Sequence, residues 1–529
     1  MKRFLALTVA IVAVSASAAT SPKDDRAIVH VLSRTGFGPR PGNVEKVRAM
    51  GLQRYIDEQL YPERIPDVAI ALRLTGLTTI GMSSRQIAEQ YELPQLEARR
   101  RRKAEGKDKD AAPGDGKQPT DAMQQRATGV MIELAQQKLL RAVYSDRQLQ
   151  EVLTDFWFNH FNVDARKGRD RFLLTEYERD TIRPRVLGKF RDLLGATAKS
   201  PAMLFYLDNW MSSAGPDLNL APGLARAQGQ GKRAPKGLNE NYGRELMELH
   251  TLGVDGGYTQ KDVTEVARAL TGWTLKSPRQ GGGFAFDARI HDTEQKVVLG
   301  HVIAAGGGES DGEQVLDILA THPSTATFIA TKLTRRFVSD RPPPALVERV
   351  AARFRDTDGD LRDVMRTILT SPEFLSPDAY RAKVKTPFEF VVSALRATSA
   401  EVQDARPLVH EVQQLGMPLY QCQPPTGYKD TGDAWVNTGA LVSRMNLAVR
   451  LAAGQLRGTS VNCGLWIADC GLRTPGMVDS DGLRTDSDVV VARLLNGDAS
   501  DTTRATIAKA TDAQKMVALT LGAPDFQRR

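Results

Sequence analysis

The chain has 529 residues, 41% of them hydrophobic and 25% charged, so it can bury a sizeable core and cannot be disordered throughout. Lys and Arg number 71 against 63 Asp and Glu, a formal charge of +8 that suits attraction to anionic polymers or cell surfaces without selecting one. No Walker loop, Gly-X-Ser-X-Gly elbow, His-Glu-X-X-His helix or Gly-X-Gly-X-X-Gly fingerprint occurs, so the enzyme classes recognised by those motifs lose their support.

Met1-Lys-Arg, an apolar run over 4–14 and Ala16-Ser-Ala-Ala19 have the order of a secretory signal peptide, assigned to residues 1–19. The apolar run is shorter than the roughly 20 residues a bilayer span needs, so no transmembrane segment is expected. The expected location is the periplasm or the medium, and loss of Lys2 and Arg3 leaves a charge of +6. Residues 20–529 are read as one mainly α domain: a multi-helix core with one small β-hairpin and loop inserts at 97–120 and 212–237.

Residues 24–60 have a helical pattern broken at Gly36-Phe-Gly-Pro39 and Gly51. The run Arg99-Arg-Arg-Arg-Lys103, followed by alternating Lys and Asp, reads as a solvated insert with a helical lead-in. Its interleaved acids argue against a nucleic-acid arm, and no nucleic-acid partner is expected. Helices are predicted at 121–145, 147–162, 170–182, 187–199 and 201–209. On the second of these, Leu149, Val152, Leu153, Phe156 and His160 share one face, so His160 continues an apolar stripe and should be buried. Asn159, Asn162 and Asp164 lie where they could orient its ring.

The densest polar block runs from Asn239 to Trp273, two short helices joined by a Gly-rich turn. On a helical wheel Glu245 falls inside the apolar arc and His250 at its edge. A buried carboxylate needs a cation, a donor, a metal or a raised pKa, so Glu245 is a candidate general acid or base. Thr259 and Asp262 have the spacing of a capping box, which explains that acid structurally. The hairpin is predicted from 284–286 and 296–299, with His291 and Asp292 in the loop after its first strand. Helical periodicity returns over 311–399 and 438–454. Asp356-Thr-Asp-Gly-Asp360 lacks the Gly and Glu of a calcium loop and reads as a helix cap. Cys463 and Cys470 are expected to form a local disulfide, leaving Cys422 free.

Two uses of these groups compete. In the first, Glu245 is the general acid or base, His160 and His250 are proton carriers or metal ligands, and His291 with Asp292 forms a second polar arm, with a divalent metal as an optional cofactor. The protein would then be an exported hydrolase acting on an anionic or carbohydrate-rich envelope polymer. In the second, the same cluster is a buried network that fixes helix packing in a non-catalytic envelope assembly or binding protein.

The 239–273 block, Phe156-Trp-Phe-Asn-His-Phe161, His291-Asp292, Lys332-Leu-Thr-Arg-Arg-Phe337, Lys385-Thr-Pro-Phe-Glu389 and the closing Gly-Ala-Pro-Asp-Phe526 together resemble the family called domain of unknown function 1800. The resemblance spans nearly all of the chain outside the inserts. It implies an exported, mostly helical bacterial protein, with a sulfatase-like exported protein as a partner, and it brings no catalytic residue or cofactor.

Overall fold

A computed structural model describes residues 25–104, 119–214, 237–461 and 486–529. The expected signal peptide, both cysteines of the expected disulfide and most of the two inserts lie outside the described residues. The helical lead-in to the first insert is present as Leu93–Ala104, and Cys422 is free and buried.

The fold is mainly α. Apolar side chains at helical spacing place the long helices around one continuous cluster of buried residues that runs from Ile28 to Phe526. The Gln148–His160 helix lies deep within it, with Leu149, Val152, Leu153, Phe156, Trp157 and Phe158 all buried. Later helices pack in sequence order: Pro323–Phe337 on Pro344–Asp356, then Leu361–Leu369, while Thr438–Ala452 pairs with Ala513–Gly522. Among the described residues no helix is long and apolar enough to cross a membrane.

Among the described residues, the single hairpin expected from the sequence is replaced by three short antiparallel pairs. Phe284–Phe286 pairs backward with Trp273–Leu275, and Lys296–Val298 pairs forward with His301–Ile303. The two predicted strands therefore belong to different hairpins. A local turn at Leu299 and Gly300, both at positive φ, lets the second close on itself instead of reaching back across the intervening loop. The third pair joins Glu401–Val402 to Thr459–Ser460.

Helix starts follow side-chain chemistry. Thr259 and Asp262 form the predicted capping box. Asp360 caps the Leu361–Leu369 helix by accepting from the backbone of Arg362 and Asp363, so the Asp-rich turn has a structural role. At the C-terminal end, residues 383–385 hydrogen-bond to 527–529. There Glu389 is buried, with Arg336 Nη1 at 2.7 Å and Arg529 Nε at 3.0 Å from Oε1. Burial alone would raise this carboxyl's pKa, but the two guanidiniums outweigh it and hold it at about 2.

Candidate functional site

The polar block begins at Asn239, whose side chain caps the Glu240–Glu248 helix by accepting from the backbone of Asn241 and Tyr242. Tyr242, Gly243, Leu246 and Met247 form its buried face. Gly243 sets that face, because a Cβ there would meet Val263 O at 3.0 Å and Ala267 N at 3.1 Å on the Gln260–Ala269 helix. The two helices pack through this glycine, and Glu245 is turned to the flank. It is half-buried and has no hydrogen-bond or ion-pair partner among the described residues. Burial raises its carboxyl pKa and Glu248 adds to the shift, against a smaller lowering by Arg244.

The helix stops at Glu248, and the His250 backbone N–H donates back to Glu245 O at 3.1 Å. This wider turn directs the His250 ring inward, where it meets His160. The ring centroids are 6.3 Å apart, and His160 Nε2 lies 3.1 Å from the His250 carbonyl oxygen, to which it donates. Phe161 and Phe328 close over the pair. His160 is 1% exposed and His250 2%, while His160 Nδ1 and His250 Nε2 have no hydrogen-bond partner among the described residues. Burial holds both imidazoles neutral, driving His160 well below its usual range and His250 down to about 3, and the nearby Lys332 ammonium adds to both shifts. Burial also lowers Lys332 itself to about 8.

Asn159, Asn162 and Asp164 do not orient the His160 ring. Asn159 grips Tyr428 through both its N–H and its carbonyl, and Asn162 donates to the carbonyls of Cys422 and Pro424. Gly427, at φ +72°, lets that loop pass against Asn159, since a Cβ there would lie 2.2 Å from the Asn159 carbonyl oxygen. Asp164 instead pairs with Arg166.

His291 and Asp292 belong to a different set of contacts. The His291 ring donates from Nδ1 to Thr271 O at 2.7 Å, and its Nε2 faces Asp311 Oδ2 at 3.2 Å. Lys296 Nζ donates to the same Asp311 oxygen at 2.8 Å, so a histidine, a carboxylate and a lysine form one buried array. Asp292 accepts from Arg268 at 2.8 and 3.1 Å, and Arg268 also pairs with Glu265. Burial works against the Asp292 charge, but Arg268 outweighs it and leaves the carboxyl below its ordinary range. No hydrogen bond or ring contact joins this array to His160, His250 or Glu245. Among the described residues no three His, Cys, Asp or Glu side chains come together as metal ligands, so the imidazole pair does not fit a divalent ion.

Sequence reasoning singled out neither Lys332 nor the Asp311 and Lys296 pair. Lys296 had a legible signal, because it shares the inward face of a three-residue strand with Val298 and a buried ammonium requires an acid. Lys332 opens the segment Lys332-Leu-Thr-Arg-Arg-Phe337 that carries part of the family resemblance, but nothing local ties it to the two histidines.

Two cavities lie near these elements. One, of about 30 Å³, opens beside the Gln148–His160 helix between Phe156, Asn159, Arg336 and Tyr428, with the Lys138 and Asp155 ion pair of 2.6 Å in its wall. It has room for a water molecule. The other is an open groove of about 680 Å³ between the Pro119–Tyr144 helix and residues 402–406, lined by Arg73, Glu133, Gln136, Asp404 and Arg406 beside the apolar Leu77, Ile132 and Leu140, with Arg406 paired to Asp404 at 2.7 Å.

The family model described as Protein of unknown function (DUF1800) matches residues 30–528, and the chain belongs to that family. No curated protein and no solved structure matches it.

Proposed function

We propose that this family member is an envelope-associated binding or assembly protein for a carbohydrate-rich or anionic polymer, and that its Glu, His and Asp groups chiefly fix the packing of the fold. The carrying observation is the sealing of His160 and His250 in the core, where no polymer can reach a ring nitrogen. His291 supports the same reading, since both of its nitrogens already face protein oxygens. The groove beside Gln136, Gln403 and Arg406 has the volume and mixed lining that a polymer segment needs. The excess of cations favours an anionic chain, and the signal-like start of the sequence favours export. A sulfatase-like exported protein is the companion that the family resemblance suggests.

A hydrolase acting through Glu245 is the second reading. It is favoured by one observation, a half-buried carboxyl with no partner and a raised pKa. Incubating the full chain with dextran sulfate or neutral dextran separates the two. The binding reading predicts retention on dextran sulfate that weakens with salt, falls in Arg406→Glu, and leaves polymer length unchanged. Time-dependent shortening of either polymer that Glu245→Gln abolishes would establish the hydrolase instead.

A further inference from the structure

A third cavity, of about 50 Å³, forms where the Arg26–Arg34 helix meets the 380–385 segment, the end of the Asp486–Leu495 helix and the last residues of the chain. Its wall is strongly basic. Arg40, Arg381, Lys385, Arg493, Arg528 and Arg529 line it against one carboxylate, Asp525. That carboxylate is engaged by Arg381 at 3.0 Å, and Arg529 lies 3.0 Å from Glu389.

Two side chains facing this space lack acceptors. Lys385 is 7% exposed, and its ammonium makes no hydrogen bond or ion pair among the described residues. It sits 3.7 Å above the centroid of Phe526, a contact that leaves part of its three-donor capacity unused. His30 is 4% exposed, and neither ring nitrogen makes a hydrogen bond of normal geometry, although the backbone of Phe374 lies close. Leaving a buried donor unsatisfied costs about 1–3 kcal/mol, so the unpartnered His30 ring beside a free Lys385 ammonium in one basic space calls for an acceptor within it.

We infer that this cavity binds a small oxyanion, the phosphate or carboxylate group of a free solute, with Lys385 and His30 as its donors. Only an ion or a terminal group fits, and none of the lining residues is shared with the polymer groove, so the inference stands apart from that reading. Planar or tetrahedral oxygens can satisfy both donors at once.

Inorganic phosphate and acetate, each compared with chloride at equal ionic strength, test the inference on the full chain. A saturable rise in melting temperature is expected with one or both anions, and the more effective one identifies the class. In the wild type, that anion should slow acetylation of Lys385 by acetic anhydride at least fivefold, read by peptide mass spectrometry, while exposed Lys509 reacts at an unchanged rate. Lys385→Met should weaken the anion at least tenfold. If that variant does not fold, the wild-type protection measurement decides alone. No saturable shift with either anion, equal Lys385 acetylation with and without it, or undiminished affinity in folded Lys385→Met would overturn the site.

Discussion

Burial lowers the pKa of His30, His160 and His250, with His30 and His250 brought to about 3. The unfolded chain takes a proton on each near pH 6.5, whereas the fold resists until far lower pH. Acid therefore favours unfolding: the stability these groups confer is complete above pH 6.5 and is lost as pH falls toward 3. Each adds a slope of up to about 1.4 kcal/mol per pH unit through this window. Urea unfolding between pH 6 and 5 should show that slope, and His250→Gln should remove about one histidine's share. An identical slope in the variant would mean that the His250 ring is not held neutral by the fold. Glu245 differs in kind, because a half-buried carboxyl with no partner can be replaced by Gln at little cost to stability.

Gly243 governs the meeting of the Glu240–Glu248 and Gln260–Ala269 helices, and through it the direction of Glu245. Alanine ordinarily improves a helix interior by about 0.5–1 kcal/mol. At Gly243 the new methyl would press on backbone atoms that cannot swing aside, so Gly243→Ala should destabilise by about 1–3 kcal/mol. Gly129, in the Pro119–Tyr144 helix with open space at its Cβ, is the control and should gain stability from the same change. Stabilisation at both positions by thermal melting would refute the close approach. The same glycine marks the limit of the sequence reading. The stripe of Leu149, Val152, Leu153 and Phe156 was legible because its period is local, and so were the caps at Thr259 and Asp360. The wheel that placed Glu245 in an apolar arc gave no weight to a glycine and ran past Glu248, where the helix stops. The pairing of His291 with Asp311 was hidden because it depends on a hairpin whose partner strand was assigned wrongly. Asn159 and Asn162 were read as local supports for His160, yet their amides serve a loop more than 250 residues away.

Across the whole molecule, polar groups from distant parts of the sequence are tied to the core in separate sets: His160 to the His250 carbonyl, His291 to Asp311 and Lys296, and Glu389 to Arg336 and Arg529. Breaking a buried charge pair by removing one partner costs about 3–5 kcal/mol, so such sets hold a unique arrangement of helices without any catalytic duty. The groove beside Arg406 and the basic cavity beside Lys385 do not include His160, His250 or His291 in their walls. The central claim is therefore that the histidines of the candidate cluster are closed to solvent in the native protein. Diethyl pyrocarbonate modification of the folded chain, mapped by peptide mass spectrometry, tests it directly. Exposed His301 and His410 should react rapidly, and His160, His250 and His291 should remain unmodified until the protein is unfolded. Rapid modification of His160 or His250 in the native state would show a solvent-reachable imidazole site and contradict the account.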